Sequence, residues 1–144
     1  MTRFLTVALA LAAAPALADD DYMPPVTHPA TLEECSACHM AYPAGFLPRR
    51  SWVAIMGDLK NHFGENAQLD AATRAEIEAY LVGNAAPRIR GVSENQTPLR
   101  ISELPWFKHE HREEVSQRMM RKAKSMANCA ACHRGAERGY FEDD

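Results

Sequence analysis

Apolar positions recur with a helical period in two stretches in the middle of the chain. Trp52, Ile55, Met56, Leu59, His62 and Phe63 follow one another at steps of three and four, which predicts a helix from Arg49 to Phe63 with one apolar face. Gly64 is placed to end it. Asp70 is a good N-cap for a second helix, Ala71 to Val82, whose inward stripe is Ile77, Tyr80 and Leu81 and which Gly83 stops. Upstream, Thr31-Leu32-Glu33-Glu34 matches a capping box and predicts a short helix running into Cys35. The stretch from Ala41 to Pro48 is too rich in Pro and Gly to be regular. Asn84 to Glu103 carries Pro87, Gly91, Asn95 and Pro98 without a helical period and reads as a connector between two modules. Pro105 suits a first helical residue, and the charged run after it predicts helix through to Ser125. Nothing in the pattern asks for a sheet, so the expected class is all-α.

The N-terminus has a different texture. Arg3 precedes an apolar and small-residue run from Phe4 to Ala14, broken only by Thr6, and Ala16-Leu17-Ala18 offers small residues at the two positions that a signal peptidase inspects. The run is too short to span a bilayer as a permanent helix. Residues 1–18 therefore read as a signal peptide, with the mature chain starting at Asp19 and working in the periplasm. The 144 residues are 24% charged and 47% hydrophobic, a globular composition. Sixteen basic against 19 acidic residues give no basic excess of the kind that nucleic acid demands. Loss of Arg3 with the leader makes the acidic excess larger by one. Outside the cytoplasm thiols normally oxidise, so the four cysteines need an explanation.

They fall in two blocks, Cys35-Ser36-Ala37-Cys38-His39 and Cys129-Ala130-Ala131-Cys132-His133. Cys-x-x-Cys-His is the attachment pattern of c-type haem: the two thiols add to the two vinyl groups along one porphyrin edge, and the adjacent histidine ligates the iron. Two such blocks use every cysteine in the chain. A disulfide redox motif would need a βαβ frame, and no β-branched segment is present to build one. A zinc site would have to join blocks some ninety residues apart. The expectation is two covalently bound haem c groups, held by Cys35, Cys38, Cys129 and Cys132, with His39 and His133 as proximal ligands. Each module is too small for a large apolar core of its own, and the haem supplies much of it.

The sixth ligands must come from His28, His62, His109, His111 or a methionine. His62 shares the apolar face of its predicted helix, where a haem is expected; Met56 shares that face and is its rival. His28 precedes Pro29 in a loop and reads as solvated. On a regular helix the side chains of His109 and His111 diverge by about 200°, so only one can face an iron. His111 stands four residues before Val115 and eight before Met119, on an apolar face. His109 has Glu113 one turn on and reads as solvent-facing. Met119, Met120 and Met126 are commoner as packing than as ligands.

Taken together, Glu34 to Pro43, Leu47-Pro48-Arg49-Arg50-Ser51-Trp52, His62 to Ala67, Pro105-Trp106-Phe107, His111 and Asn128 to His133 resemble the small dihaem cytochrome c family of proteobacteria. The resemblance covers nearly all of the mature chain. It implies an N-terminal domain like a class I cytochrome c, 19–88, followed by a small, loop-rich helical C-terminal haem domain, 89–144. It implies bis-histidine ligation at both irons, with His62 and His111 in the distal positions. It also implies partners: an oxygen-binding monohaem cytochrome c as electron acceptor and, often, a membrane cytochrome b.

Two imidazoles on each iron leave no open coordination site, and histidine in place of methionine lowers the reduction potential. The expected function is a low-potential, outer-sphere electron carrier and not an enzyme, since the chain has no room for a substrate pocket beyond the haems. The expected protein is monomeric, without stable membrane insertion, and its acidic surface favours a basic partner patch. Arg49 and Arg50 are candidates to pair with haem propionates. The alternative is a dihaem enzyme or haem-based sensor with one open iron site.

Overall fold

The computed structural model describes residues 22–142. The expected signal peptide, 1–18, and the expected start at Asp19 lie outside the described residues. Five α-helices follow in order: α1 Pro29–Cys35, α2 Arg49–Gly57, α3 Ala71–Gly83, α4 Pro105–His111 and α5 Gln117–Ala123. Short 3₁₀ turns punctuate the loops, among them Ala44–Phe46, Leu59–Asn61, Ile101–Glu103 and Cys129–Ala131. Among the described residues there is no β-strand, only isolated bridges such as Tyr22 with Tyr140. The all-α expectation holds. No helix among these residues is long and apolar enough to cross a membrane.

Three helix boundaries differ from those read in the pattern. α1 begins before the capping box: His28 is its N-cap and Pro29 its first residue, where no N–H is needed. The Thr31 amide donates to His28 Nδ1 (3.4 Å), and Thr31 is 1% exposed. His28 is thus not a solvated loop residue. Its Nε2 meets Glu76 at 3.0 Å and its ring stacks on Tyr80 at 4.8 Å, because α3 packs against α1 and brings both residues to it.

The helix expected to run to Phe63 ends at Gly57. Glycine weakens a helix interior, and Asp58 then competes with it: the Asp58 carboxylate accepts from Asn61 Nδ2 at 2.7 Å. A 3₁₀ turn, Leu59–Asn61, carries the chain on to His62. Gly64, with φ +104°, serves this tight turn and does not cap a helix. The C-terminal helix expected to reach Ser125 is split. α4 stops at His111, Ser116 Oγ accepts from the Met119 amide (3.3 Å) to start α5, and Lys124 leaves α5 in the left-handed region at φ 65°.

α3 forms as expected. Asp70 Oδ1 accepts from the amides of Ala72 and Thr73 at 3.0 and 3.1 Å, and Ile77 and Leu81 turn inward against α2. The core gathers Ala44, Leu47, Trp52, Met56, Leu59, Ile77 and Leu81 with Leu104 and Phe107. Residues on both sides of the connector therefore share one apolar cluster, with Ile89, Val92 and Ile101 of the connector packed against it. Arg50, a candidate for a propionate, instead holds the connector, donating to the carbonyls of Gln96 and Ser93; Arg49 is exposed.

The two ends of the described residues meet through Gly139. The Met23 amide donates to the Gly139 carbonyl at 2.8 Å, and Gly139 has φ +87°, where an added Cβ would overlap the Met23 carbonyl oxygen. Gly139→Ala is expected to destabilise the protein by about 1–3 kcal/mol, read as a lower melting temperature; an unchanged melting curve would show that the ends do not need this contact.

Candidate functional site

Both Cys-x-x-Cys-His blocks share one backbone hydrogen bond. The histidine amide returns to the carbonyl of the first cysteine, at 3.4 Å from His39 to Cys35 and at 2.8 Å from His133 to Cys129. Residues at i, i+3 and i+4 of such a turn share one side, so the two thiols and the imidazole of each block are presented together. Cys35 closes α1, and Cys129 opens its own 3₁₀ turn. Cys35 and Cys129 are half-buried, Cys38 and Cys132 exposed. Burial pushes the Cys35 thiol up, with Glu34 adding to it, and burial likewise raises Cys129.

The structure brings four of the six histidines into two facing pairs. His39 and His62 have ring centroids 6.2 Å apart and planes 19° from parallel. His111 and His133 lie 6.0 Å apart with planes at 84°. Three of the four anchor Nδ1 on a backbone carbonyl: His39 on Met40 (2.7 Å), His111 on Phe107 (2.8 Å) and His133 on Glu142 (3.1 Å). An imidazole donating from Nδ1 in this way keeps its Nε2 lone pair for a metal. His28 differs, since Thr31 and Glu76 occupy its two ring nitrogens. His109 is exposed on α4.

His62 reaches its position through a turn and not a helix face. Phe63, directly after it, sits at φ 54°, a costly backbone for a bulky residue and one that concentrates at functional sites. The Glu65 amide closes the turn on the His62 carbonyl at 3.0 Å, and the Arg100 guanidinium lies 4.2 Å over the Phe63 ring. Burial, then His39 and Arg100, push the His62 imidazole below its ordinary value, a shift toward the neutral form that has a lone pair to give.

The second pair borders a cavity of about 560 Å³, within the range of roughly 300–1,000 Å³ common for cofactor sites. Trp106, Phe107, Val115, Met119, Met120, Met126 and Phe141 line it together with His111, Cys129, Cys132 and His133. An apolar chamber with two thiols and two facing imidazoles on its walls fits a covalently attached haem. The phase assigned to His111 on the sequence pattern agrees with its place here, although Met119 reaches the same chamber from α5 and not from a continuous helix. Met56, the rival of His62, is 4% exposed and committed to the core.

Two neighbours of the site escaped the sequence reading. Phe107 stacks on His111 at 3.9 Å and 12°; its spacing of four residues from His111 was the available signal. Tyr42 stacks on His39 at 4.7 Å and 11°, and nothing in the local pattern marks it.

A family model described as dihaem cytochrome c matches residues 31–141. Comparison with curated proteins gives no match. Among solved structures, the chain is similar to a dihaem cytochrome c from Rhodobacter sphaeroides, with 64% identity over 82% of this chain and 99% of that one and a TM-score of 0.79. A crystal structure of DHC purified from Rhodobacter sphaeroides gives 65% identity over 81% of this chain and 99% of that one, with a TM-score of 0.73. The X-ray structure of a dihaem cytochrome type c from Shewanella baltica OS155 gives 41% identity over 78% and 85% of the two chains, with a TM-score of 0.67. With two attachment turns, two thiols in each and a match over nearly all the described residues, the chain belongs to the dihaem cytochrome c family and carries two covalently bound haems for electron transfer.

Proposed function

We propose that this protein is a low-potential periplasmic electron carrier in which His39 and His62 ligate one iron and His111 and His133 the other. The haems supply the one-electron chemistry. The chain's own part is to attach them, cap both faces of each iron and bury part of each ring. Cys35 and Cys38 hold the first haem and Cys129 and Cys132 the second, in units 19–88 and 89–144 that share one apolar core.

The observation that carries this reading is the spacing of the two histidine pairs. The pairs stand with ring centroids 6.2 and 6.0 Å apart, which leaves room for one metal ion between the two imidazoles of each pair, so His39 with His62 and His111 with His133 would hold an iron each. With both axial positions taken, ligand exchange is slow, and electron exchange at the haem edge is the chemistry left. Imidazole in place of thioether lowers the potential.

A carbon monoxide titration of the reduced protein tests the proposal. Neither haem is expected to bind the gas rapidly. Rapid binding at one haem overturns the reading in favour of an enzyme or sensor with an open iron. Attachment is checked separately: a Cys129→Ser, Cys132→Ser double variant is expected to lose one of the two covalent haems by mass spectrometry and to keep the other.

The proposed acceptor is a small soluble haem protein, an oxygen-binding monohaem cytochrome c, with a membrane cytochrome b as a further partner and the carrier itself a monomer. The charge pattern refines the contact. From Ser116 to Ala136 the chain has Arg118, Arg121, Lys122, Lys124 and Arg134 and no acidic residue, and all five are exposed. Glu33 and Glu34 flank Cys35 instead. An acidic partner face therefore suits the second haem and a basic one the first. Exchange at either face is expected to change with salt as the screening length falls from about 30 Å at 0.01 M to about 8 Å at 0.15 M.

A further inference from the structure

Tyr42 touches both haem sites. Its ring lies on the His39 imidazole, with centroids 4.7 Å apart and planes 11° from parallel. Its hydroxyl donates to the Ala127 carbonyl at 2.7 Å, across 85 positions of sequence. Ala127 stands two residues before Cys129, in the short loop between α5 and the second attachment turn. Met126 of this loop packs against the core, and other hydrogen bonds of the loop are local: the Ala127 amide donates to Ser125 Oγ (3.1 Å) and the Asn128 side chain to the Ala123 carbonyl (3.1 Å). The Tyr42 bond ties it to the segment that follows the first attachment block.

We propose that Tyr42 is a positioning residue that couples the two haem sites, its ring setting the plane of the His39 imidazole and its hydroxyl seating the loop that presents Cys129. The proposal rests on reading His39 as an axial ligand. Two features of the geometry favour it. A ring stacked nearly parallel on an imidazole restricts rotation of that imidazole about its bond to a metal, and His39 is pinned besides only through Nδ1 on the Met40 carbonyl. The Ala127 carbonyl also receives the Cys129 thiol, at 3.8 Å; once Cys129 is a thioether it has no proton to give, and the tyrosine hydroxyl is the stronger donor that stays.

The test uses the holoprotein and two variants. Tyr42→Phe keeps the ring and loses the hydroxyl; Tyr42→Leu loses both. Loss of one hydrogen bond is expected to speed amide exchange in residues 127–132 severalfold, up to about tenfold, and to shift the potential of the second haem. In Tyr42→Phe the low-spin electron paramagnetic resonance signal of the first haem, which reports the axial ligand planes, is expected to stay as in the parent; in Tyr42→Leu it is expected to move. If Tyr42→Phe leaves both amide exchange and the second potential unchanged, the coupling through the hydroxyl is wrong. If Tyr42→Leu leaves the first signal unchanged, the ring does not set the imidazole plane. Tyr42→Phe preserves the packing volume and carries the test should the leucine variant not fold. A high-spin or gas-binding first haem in the parent protein would sink the ligand assignment itself, whatever the Tyr42 variants do, so the two failures are told apart.

Discussion

With His62→Ala, one of the two reduced haems is expected to bind carbon monoxide rapidly while the other stays inert, and the ferric spectrum is expected to gain a high-spin component from that haem alone. The argument is geometric. His62 faces His39 across 6.2 Å with planes 19° apart, and burial shifts its imidazole toward the neutral form. The turn that places it includes a residue at positive φ, Phe63, a backbone cost that the surrounding contacts must offset. Alanine removes the ligand and leaves the turn. Met56 cannot readily replace it, since its side chain is 4% exposed within the core formed with Trp52, Leu59 and Ile77. A variant with the parent's ferric spectrum and no gas binding would show that another group holds that iron.

His111→Met is expected to keep the second haem low-spin and to raise its potential by on the order of 0.1 V, a modest part of the roughly 0.8 V that axial ligands command. Spectroelectrochemistry reads the shift, and the second haem is the one whose midpoint moves. His109→Met is the control. Both residues belong to α4, Pro105–His111, and two positions on a helix turn the side chain by about 200°. His111 goes inward, stacked on Phe107 and 6.0 Å from His133; His109 is exposed. If the His109 variant alone shifts in spin state or potential, the assignment must be reversed.

Each Cys-x-x-Cys-His block could be read directly, because a haem attachment is a local act: two thiols and an imidazole within five residues, on one side of a single turn. α3 was equally legible, since Asp70 caps its own helix and Ile77 and Leu81 repeat at a helical step. His111 was reachable from phase because it and its neighbour Phe107 lie on one short helix.

His62 was identified by a period that the structure then breaks. The helix stops at Gly57, a 3₁₀ turn carries the chain on to His62, and the stop is accompanied by a side-chain contact from Asp58 to Asn61. His28 was misplaced for a related reason. Its role depends on Glu76 and Tyr80, which come to it only when α3 docks on α1. The basic run of α5 and the acidic pair beside Cys35 were present in the sequence, yet net charge concealed them, because a sum over the chain carries no information about which face a charge occupies. Two-body pairings across long stretches were beyond any local pattern: His39 with His62, His111 with the carbonyl-anchored His133, and Tyr42 with Ala127, 85 positions away. The sequence by itself carried the two Cys-x-x-Cys-His blocks, the all-α class and the start of α3, because those depend on near neighbours. Only the tertiary structure decided which histidines face each other and what joins the two sites, because those distances are set by how the helices and loops pack around the shared core.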